Sequence, residues 1–378
     1  MKLDCLLVTG DSSFLRRHAR LLDALAGCGP RVETLAVDER SLGERLEFAL
    51  AQAAFVARYL AAARLSPATR FDARAMRRAF NKSRSTFALK SRQISARIAA
   101  RTSRPDLVLH IFGLCSPCDG PADVPYAHYL DYTRALARRN DRSEVPDAFA
   151  KDASGWIELE RRAYQGALRL FTMSQLVRRS LIDDYGISPD RIEVVGAGVN
   201  FESARDGKTF GSKRLLFNAS EFTRKGGDLV LAAWPLILRA EPAAKLVTVG
   251  SQLPRRLVGV DDRGRVSPAE LSALFRDTDV VLAPALADPF PGFVIEAMNA
   301  GVPALVSERD AMPEIVTDGV DGVVLKAQTP ERLATEVLAL LRDPARLARI
   351  SDAGRETVRS RLNWDRVANA MIESLRRA

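Results

Sequence analysis

The sequence predicts an α/β protein built as two parallel-sheet domains. Short apolar runs of strand length alternate with helical segments along the chain. At 378 residues the chain exceeds one ordinary hydrophobic core, so two domains of under ~200 residues each are expected. The alternation also restarts after the polar run Phe201-Glu-Ser-Ala-Arg-Asp-Gly-Lys208, which reads as a linker. The expected division is residues 1–202, residues 203–362, and a C-terminal helix over 363–378 returning toward the first domain.

In the first domain, Leu6–Thr9 reads as a strand, Gly10–Ser13 as its loop, and Phe14–Ala26 as a helix ending near Gly27 and Gly29. Val32–Val37 is the second strand, and Ser41–Leu65 a long helix rich in Ala, Leu and Arg. Asp106–Ile111, after the breaker Pro105, and Val124–Leu130 are further strands. Ala153–Ala167 is helical and Leu168–Thr172 a strand; Ser174–Tyr185 is a helix stopped by Gly186, and Arg191–Val195 closes the domain. The second domain opens with strand Arg214–Asn218, helix Gly227–Ala240 and strand Lys245–Val249. Ser267 caps a helix with Pro268 at its first position. Val280–Ala283 reads as a buried parallel strand, Phe293–Ala300 as a helix ended by Gly301, and Val302–Val306 as the next strand.

The Pro/Gly-rich loop between Ala283 and Phe293 is the most informative stretch. It sits at the carboxyl end of a strand, where open α/β sheets bind ligands. Two carboxylates, Asp288 and Glu296, frame it with seven residues between them. The helix start there offers free N–H groups and a positive dipole end, which suits a phosphate. A first-turn acid can serve the dipole alone. Glu296, however, stands among apolar Val294, Ile295 and Met298, where a carboxylate is costly without a partner. A phosphate with two hydroxyl-seeking carboxylates suggests an activated sugar. Earlier in the same domain, Arg224-Lys225-Gly226-Gly227 follows the first strand and opens a helix. The glycines let backbone N–H groups approach an anion and the bases add charge; the plain alternative is a helix-entry loop with solvated bases.

These motifs resemble glycosyltransferase family 4, of the GT-B fold. The family's acid, seven residues, Glu-Ala-Met, then Gly and Val-Pro stand here as Asp288, Glu296-Ala297-Met298 and Gly301-Val302-Pro303. The resemblance covers most of residues 165–365. It implies two Rossmann-like domains facing a cleft that holds a nucleotide-diphospho-sugar. It also implies retaining transfer of the sugar to a glycan or lipid-linked acceptor, of the kind used for cell-envelope polysaccharides.

Roles follow residue by residue. Lys225 would hold the leaving diphosphate and Asp288 the hydroxyls of the transferred sugar. Asp131, six residues after Pro125, takes the place of a family His and would accept a hydrogen bond from a sugar hydroxyl or help position the acceptor. On the donor side, Glu296 would bind the ribose, with Arg224, Pro291, Gly292 and Phe293 at the diphosphate. Val266 would lie by the base and Ser174 at a donor contact. Gly198-Val199-Asn200 matches a Gly-Val-Asp turn at the domain boundary. No metal or cofactor is expected, because the lysine and the helix dipole supply the positive charge.

The chain departs from the pattern in three places. Asp288 replaces the more usual Glu and reaches one methylene less far. Pro291 stands where many members have Gly, and Ser220 where they often have Arg. These departures are the support for the alternative reading, a non-catalytic nucleotide-sugar binder or partner subunit. A phosphorylase or epimerase reading finds no motif for a second phosphate or a pyridoxal phosphate lysine. A dinucleotide oxidoreductase is weaker still, since Leu6–Ser13 lacks Gly-x-Gly-x-x-Gly.

Composition agrees with a globular chain, 47% apolar and 27% charged. No apolar run approaches the ~20 residues of a membrane span, the N-terminus reads as a strand, and a cytoplasmic location is expected. The four cysteines, including Cys115-Ser-Pro-Cys118, read as reduced thiols. The formal net charge is +9. Eleven bases and a single acid, Asp72, fall between Arg70 and Arg104, interleaved with Phe71, Met76, Phe80, Phe87, Leu89, Ile94 and Ile98. This segment is either an outer helix packing its apolar side inward or a basic amphipathic surface for an anionic membrane at the inner face. Nucleic acid is disfavoured, for no binding motif accompanies the charge. His110 ends a strand, and His128 is expected to be buried and hydrogen-bonded.

Overall fold

The computed structural model describes residues 2–64, 73–120, 122–140, 150–200 and 208–378. They form two units, Met1–Val195 with Val367–Ala378, and Gly196–Arg366.

The first unit runs β1 (Cys5–Gly10), α1 (Ser12–Arg17), α2 (Ala19–Gly27), β2 (Arg31–Ala36), α3 (Leu42–Arg64), α4 (Ala73–Asn81) and α5 (Arg84–Ala99). It continues β3 (Leu107–Ile111), β4 (Tyr126–Leu130), α6 (Arg134–Asn140), α7 (Ala150–Gly166), β5 (Arg169–Thr172), α8 (Gln175–Asp183) and β6 (Ile192–Val194). All strands are parallel, in the order β2-β1-β3-β4-β5-β6. β1, β3 and β4 are buried along their whole length, as expected of inner parallel strands covered on both faces.

The second unit runs β7 (Arg214–Asn218), α9 (Gly227–Ala240), β8 (Lys245–Val249), β9 (Val260–Asp262), α10 (Pro268–Asp277), β10 (Val280–Ala283) and α11 (Gly292–Asn299). Then come β11 (Ala304–Ser307), α12 (Met312–Ile315), β12 (Val323–Leu325), α13 (Pro330–Leu341), α14 (Pro344–Arg361) and α15 (Trp364–Arg377), the last belonging to the first unit from Val367 onward. Its strands are again all parallel, in the order β12-β11-β10-β7-β8-β9. Strand side chains alternate between two cores. Leu215, Phe217 and Leu282 face Trp234 and Leu333, while Leu216 and Val281 face Phe275 and Ala297. The chain winds outward from β7 to β9 and then returns to β10 on the other side. The loops after β7 and β10 therefore part at the switch point, the crevice in which doubly wound sheets take ligands.

Several expectations are corrected. The helix over Phe14–Ala26 is two helices broken at His18, whose ring Nδ1 lies 2.8 Å from the Phe14 carbonyl and whose ring packs edge-on to Phe112 and Tyr129. Lys208, assigned to the linker, is anchored. Its ammonium donates to the carbonyls of Phe275, Arg276 and Thr278 at 2.9, 3.0 and 2.5 Å; residues 201–207 lie outside the described residues.

The basic segment resolves in favour of inward packing over α5. Phe87, Leu89, Ile94 and Ile98 are buried. Lys90 pairs with Asp11, Arg92 with Glu47, Arg97 with Glu44, Arg101 with Glu33 and Arg104 with Asp123. Most of these acids lie tens of residues away, so a local charge count could not see them. Arg70 and the side chains of Arg74 and Arg78 lie outside the described residues. The four cysteines are free thiols, and burial pushes Cys115 and Cys118 up to about 12.

His128 is buried but not hydrogen-bonded. It pairs in register with His110 within the sheet, ringed edge-on by His110, Tyr126 and Tyr164, and neither ring nitrogen has a partner. Burial lowers its pKa to about 4, opposed by the backbone carbonyl of Phe112 nearby. The folded value lies below the unfolded ~6.5. The unfolded chain therefore takes up the proton first, and stability falls as pH drops from ~6.5 to ~4, by on the order of 3 kcal/mol from this group. His128→Leu is expected to keep or raise stability at pH 7.5 and to flatten that acid loss. Urea unfolding at pH 7.5 and pH 5 measures both.

Candidate active site

The β7–α9 loop is a compact turn. The amide of Lys225 donates to the Glu221 carbonyl (3.1 Å), that of Gly226 to Thr223 (3.1 Å) and that of Gly227 to Phe222 (2.8 Å). Gly226 and Gly227 therefore do not offer their N–H groups to an anion, contrary to expectation. They are there for space. Gly226 has φ +79°, and a Cβ on it would stand 2.1 Å from the Pro284 carbonyl oxygen; one on Gly227 would strike the Phe222 ring. Gly226→Ala is expected to destabilise the protein by ~2–4 kcal/mol, since both the backbone conformation and the space forbid it. Denaturant melts of that variant check this.

The β10–α11 loop is stitched to this turn. Leu286 N–H donates to the Arg224 carbonyl (2.8 Å), and the Arg224 guanidinium donates to the Ala287 carbonyl (2.6 Å). Gln328 donates to the carbonyls of Pro284 and Ala285, both at 3.0 Å. The outcome is an ion cluster. Lys225 Nζ lies 2.9 Å from one Asp288 oxygen and Arg224 Nη1 3.6 Å from the other, with Asp288 buried. Arg224 also pairs with Glu221. The two residues assigned to diphosphate and sugar are thus each other's partners here.

Beneath the cluster, α11 starts at Gly292 with Pro291 in the cap position and no capping side chain. Pro289 and Pro291 carry no N–H, which leaves the amides of Gly292 and Phe293 at the positive end of the helix. A narrow pocket is lined by Asn218, Lys225, Ala285, Asp288, Pro291 and Phe293. Phe293 and Val266 both pack against the Val281 and Ala297 core. Glu296, one turn into α11, is half-buried. Burial pushes its pKa up to about 7, opposed by the positive charge of Lys225.

Lys225, Arg224, Asp288, Pro291, Gly292, Phe293, Val266 and Glu296 all belong to the second unit. Asp131 and Ser174 belong to the first. Asp131 follows β4 directly at its carboxyl end, half-buried. Ser174 is fully buried as the N-cap of α8, its hydroxyl accepting from the Val177 amide at 3.2 Å.

Two features escaped sequence reasoning. Asp310, after β11, accepts the Asp288 amide at 2.7 Å and holds a left-handed φ of +50°; its place just past a strand's carboxyl end was the available signal. Glu160 lies buried on α7, taking hydroxyl bonds from Tyr164 (2.8 Å) and Tyr185, and burial pushes its pKa to about 7. The triplet Asp277-Thr278-Asp279 has the form of a metal-binding Asp-x-Asp. It stands at the amino end of β10, away from the site, and its carboxylates are used structurally. Asp279 accepts the Gly211 and Lys213 amides, and Asp277 pairs with Arg214.

Two all-parallel doubly wound units, with a base-and-acid cluster over a helix start at one switch point, define a GT-B glycosyltransferase. Comparison with known proteins agrees. The pattern of "Glycosyltransferase Family 4" matches residues 49–203 and that of "Glycosyl transferases group 1" residues 212–343. The chain is 30% identical over 277 residues to the phosphatidyl-myo-inositol mannosyltransferase of Mycobacterium leprae, covering 67% of this chain and 73% of that one. It is 28% identical over 250 residues to the D-inositol 3-phosphate glycosyltransferase of Segniliparus rotundus, covering 58% of this chain and 56% of the relative's length. Anabaena HepE, solved with UDP and glucose, shares the fold over the full length of both chains at a TM-score of 0.65 and 14% identity. The chain belongs to the glycosyltransferases of family 4.

No helix among the described residues is long and apolar enough to cross a membrane.

Proposed function

We propose that the protein transfers a sugar, with retention and without a metal, from a nucleotide-diphospho-sugar to a glycan or lipid-linked acceptor. One observation carries the reading: Lys225, Asp288 and Glu296 converge over the open N-terminus of α11 at the switch point of the second unit. The second unit is then the donor domain and the first the acceptor side. Glu296 accepts hydrogen bonds from the ribose hydroxyls. Lys225 and the amides of Gly292 and Phe293 stabilise the charge that develops on the leaving diphosphate, an arrangement in place before the reaction begins. Arg224 adds charge at its rim, and Val266 and Phe293 offer apolar surface to the base. Asp288 takes hydroxyls of the transferred sugar, and Asp131 positions the acceptor. The sugar–phosphate bond breaks as the acceptor oxygen bonds to the anomeric carbon on the same face, and the acceptor's proton passes to the departing phosphate. The solved HepE complex with UDP and glucose supports a uridine-type donor. The names of the two relatives support a hydroxyl-bearing acceptor such as a polyol.

A panel of nucleotide-diphospho-sugars in thermal unfolding is the test, because a ligand that binds the native state raises its apparent stability. The donor that shifts the midpoint is then incubated with the pure protein and acceptor alcohols. A panel with no shift rejects the donor site. A shift without transfer or donor hydrolysis replaces the enzyme with a nucleotide-sugar binder.

A further inference from the structure

A surface helix ordinarily shows one apolar face to the core and a polar one to water. α3 is apolar on both. Its inner face carries Phe48 and Phe55, packed on Phe80 of α4. Its outer face carries Leu42, Leu46, Leu50, Ala53, Ala57 and Leu60, all exposed. The leucines are 85%, 63%, 64% and 40% accessible, and they supply four of the seven large apolar residues exposed on the described surface. At 100° per residue these six positions fall within about a third of the helix circumference, along about 27 Å of its axis. An apolar stripe of this extent marks an interaction surface.

The charges around the stripe identify what meets it. Both acids of α3 are turned away, toward α5. Glu44 pairs with Arg97 at 3.4 Å and Glu47 pairs with Arg92. The bases remain at the rim. Arg45 donates to the Arg40 carbonyl at 3.0 Å, and the Arg58 guanidinium lies 5.8 Å from the Phe55 ring. Both are exposed, and among the described residues neither is paired with a carboxylate. A second copy of this chain fits poorly. Pairing two α3 helices, parallel or antiparallel, sets these arginines beside one another with no acid on the stripe to answer them.

We propose that the outer face of α3 docks on an anionic lipid bilayer, with Leu42, Leu46, Leu50 and Leu60 entering the interface and Arg45 and Arg58 meeting lipid phosphates. This moves membrane contact away from the 70–104 segment, whose α5 portion is packed inward. It stands independently of the catalytic reading.

The test is co-sedimentation of the full chain with phosphatidylglycerol/phosphatidylcholine vesicles and with phosphatidylcholine alone, at low and high salt. Expected is binding to the anionic vesicles that weakens with salt, with little binding to the zwitterionic ones. The triple variant Leu42→Gln, Leu46→Gln, Leu50→Gln is expected to lower the partition by about a hundredfold. The pair Arg45→Glu, Arg58→Glu is expected to lower it by at least about thirtyfold. These side chains point into solvent, so unchanged melting temperatures are expected and serve as the folding control. Wild-type protein that stays in solution with anionic vesicles overturns the proposal, as does equal binding by the leucine variant. A wild-type dimer in light scattering that the leucine variant converts to monomer also overturns it, assigning the stripe to a second copy.

Discussion

Lys225→Ala is expected to lower turnover by about 10²–10³-fold, the cost of removing one preorganised charge from a developing anion. The lysine is well placed for that role. Its backbone is held by the turn onto Glu221, and its ammonium is steered by Asp288 to the mouth of the α11 N-terminus. Asp288 pairs with that ammonium at 2.9 Å; a diphosphate would bring two further negative charges to the same point. The variant leaves Asp288 buried with the Arg224 guanidinium 3.6 Å away, so the loop pair should stay folded with a modest loss of stability. Steady-state kinetics with the donor chosen by thermal shift separates the effects. A fall in kcat larger than the rise in KM marks stabilisation of the departing phosphate. Wild-type turnover in this variant would remove Lys225 from the mechanism.

Glu296→Gln has an effect of two opposite signs. Burial holds the folded pKa near 7, against ~4.3 unfolded. The native state therefore binds the proton more tightly, and this group's favourable contribution is complete at low pH and lost as pH rises through 7. A neutral glutamine avoids the cost of burying the charge, so the variant is expected to be more stable at pH 8 by ~1–3 kcal/mol, by a smaller margin at pH 5, and unchanged only below pH ~4. Donor binding goes the other way. Only the ionised carboxylate accepts from two hydroxyls at once, so wild-type affinity should weaken as pH falls below 7, approaching tenfold per unit. The glutamine variant should bind about 10–100-fold more weakly at pH 8 and show no such slope. Calorimetric titration of the donor from pH 5.5 to 8.5, beside urea melts over the same range, measures both. A parallel pH slope in the variant would place the titrating group elsewhere. A gain in stability with a loss of binding is what a site held against its own folding preference should show.

Much of this candidate site is legible in the sequence. Asp288 and Glu296 are joined by one loop and one helical turn, so their spacing alone brings them to the same strand end. Gly301 at φ +71° and the capping box of Ser267 with Glu270 likewise follow from local geometry. Other features needed partners far along the chain. Asp310 reaches Asp288 across 22 positions, and Lys225 reaches it across 63. The glycines after Lys225 looked like an anion cradle, yet Pro284 and the Phe222 ring explain them. The basic stretch through Arg104 looked unpaired because most of its acids, among them Asp11, Glu33, Glu44 and Glu47, lie well before it in the chain.

Periodicity, caps and breakers act over a few residues, and they set the alternation of strands and helices, the two-unit organisation and the acid-loop-acid motif. Strand order, the Lys225–Asp288 pair, the raised pKa of Glu296, the unpartnered ring of His128 and the uncovered leucines of α3 are relations between distant segments. They arise only when parallel β7 and β10 become neighbours, and when helices choose which faces to bury. Burial and Coulomb energies depend on those neighbours in space, not on neighbours in the chain.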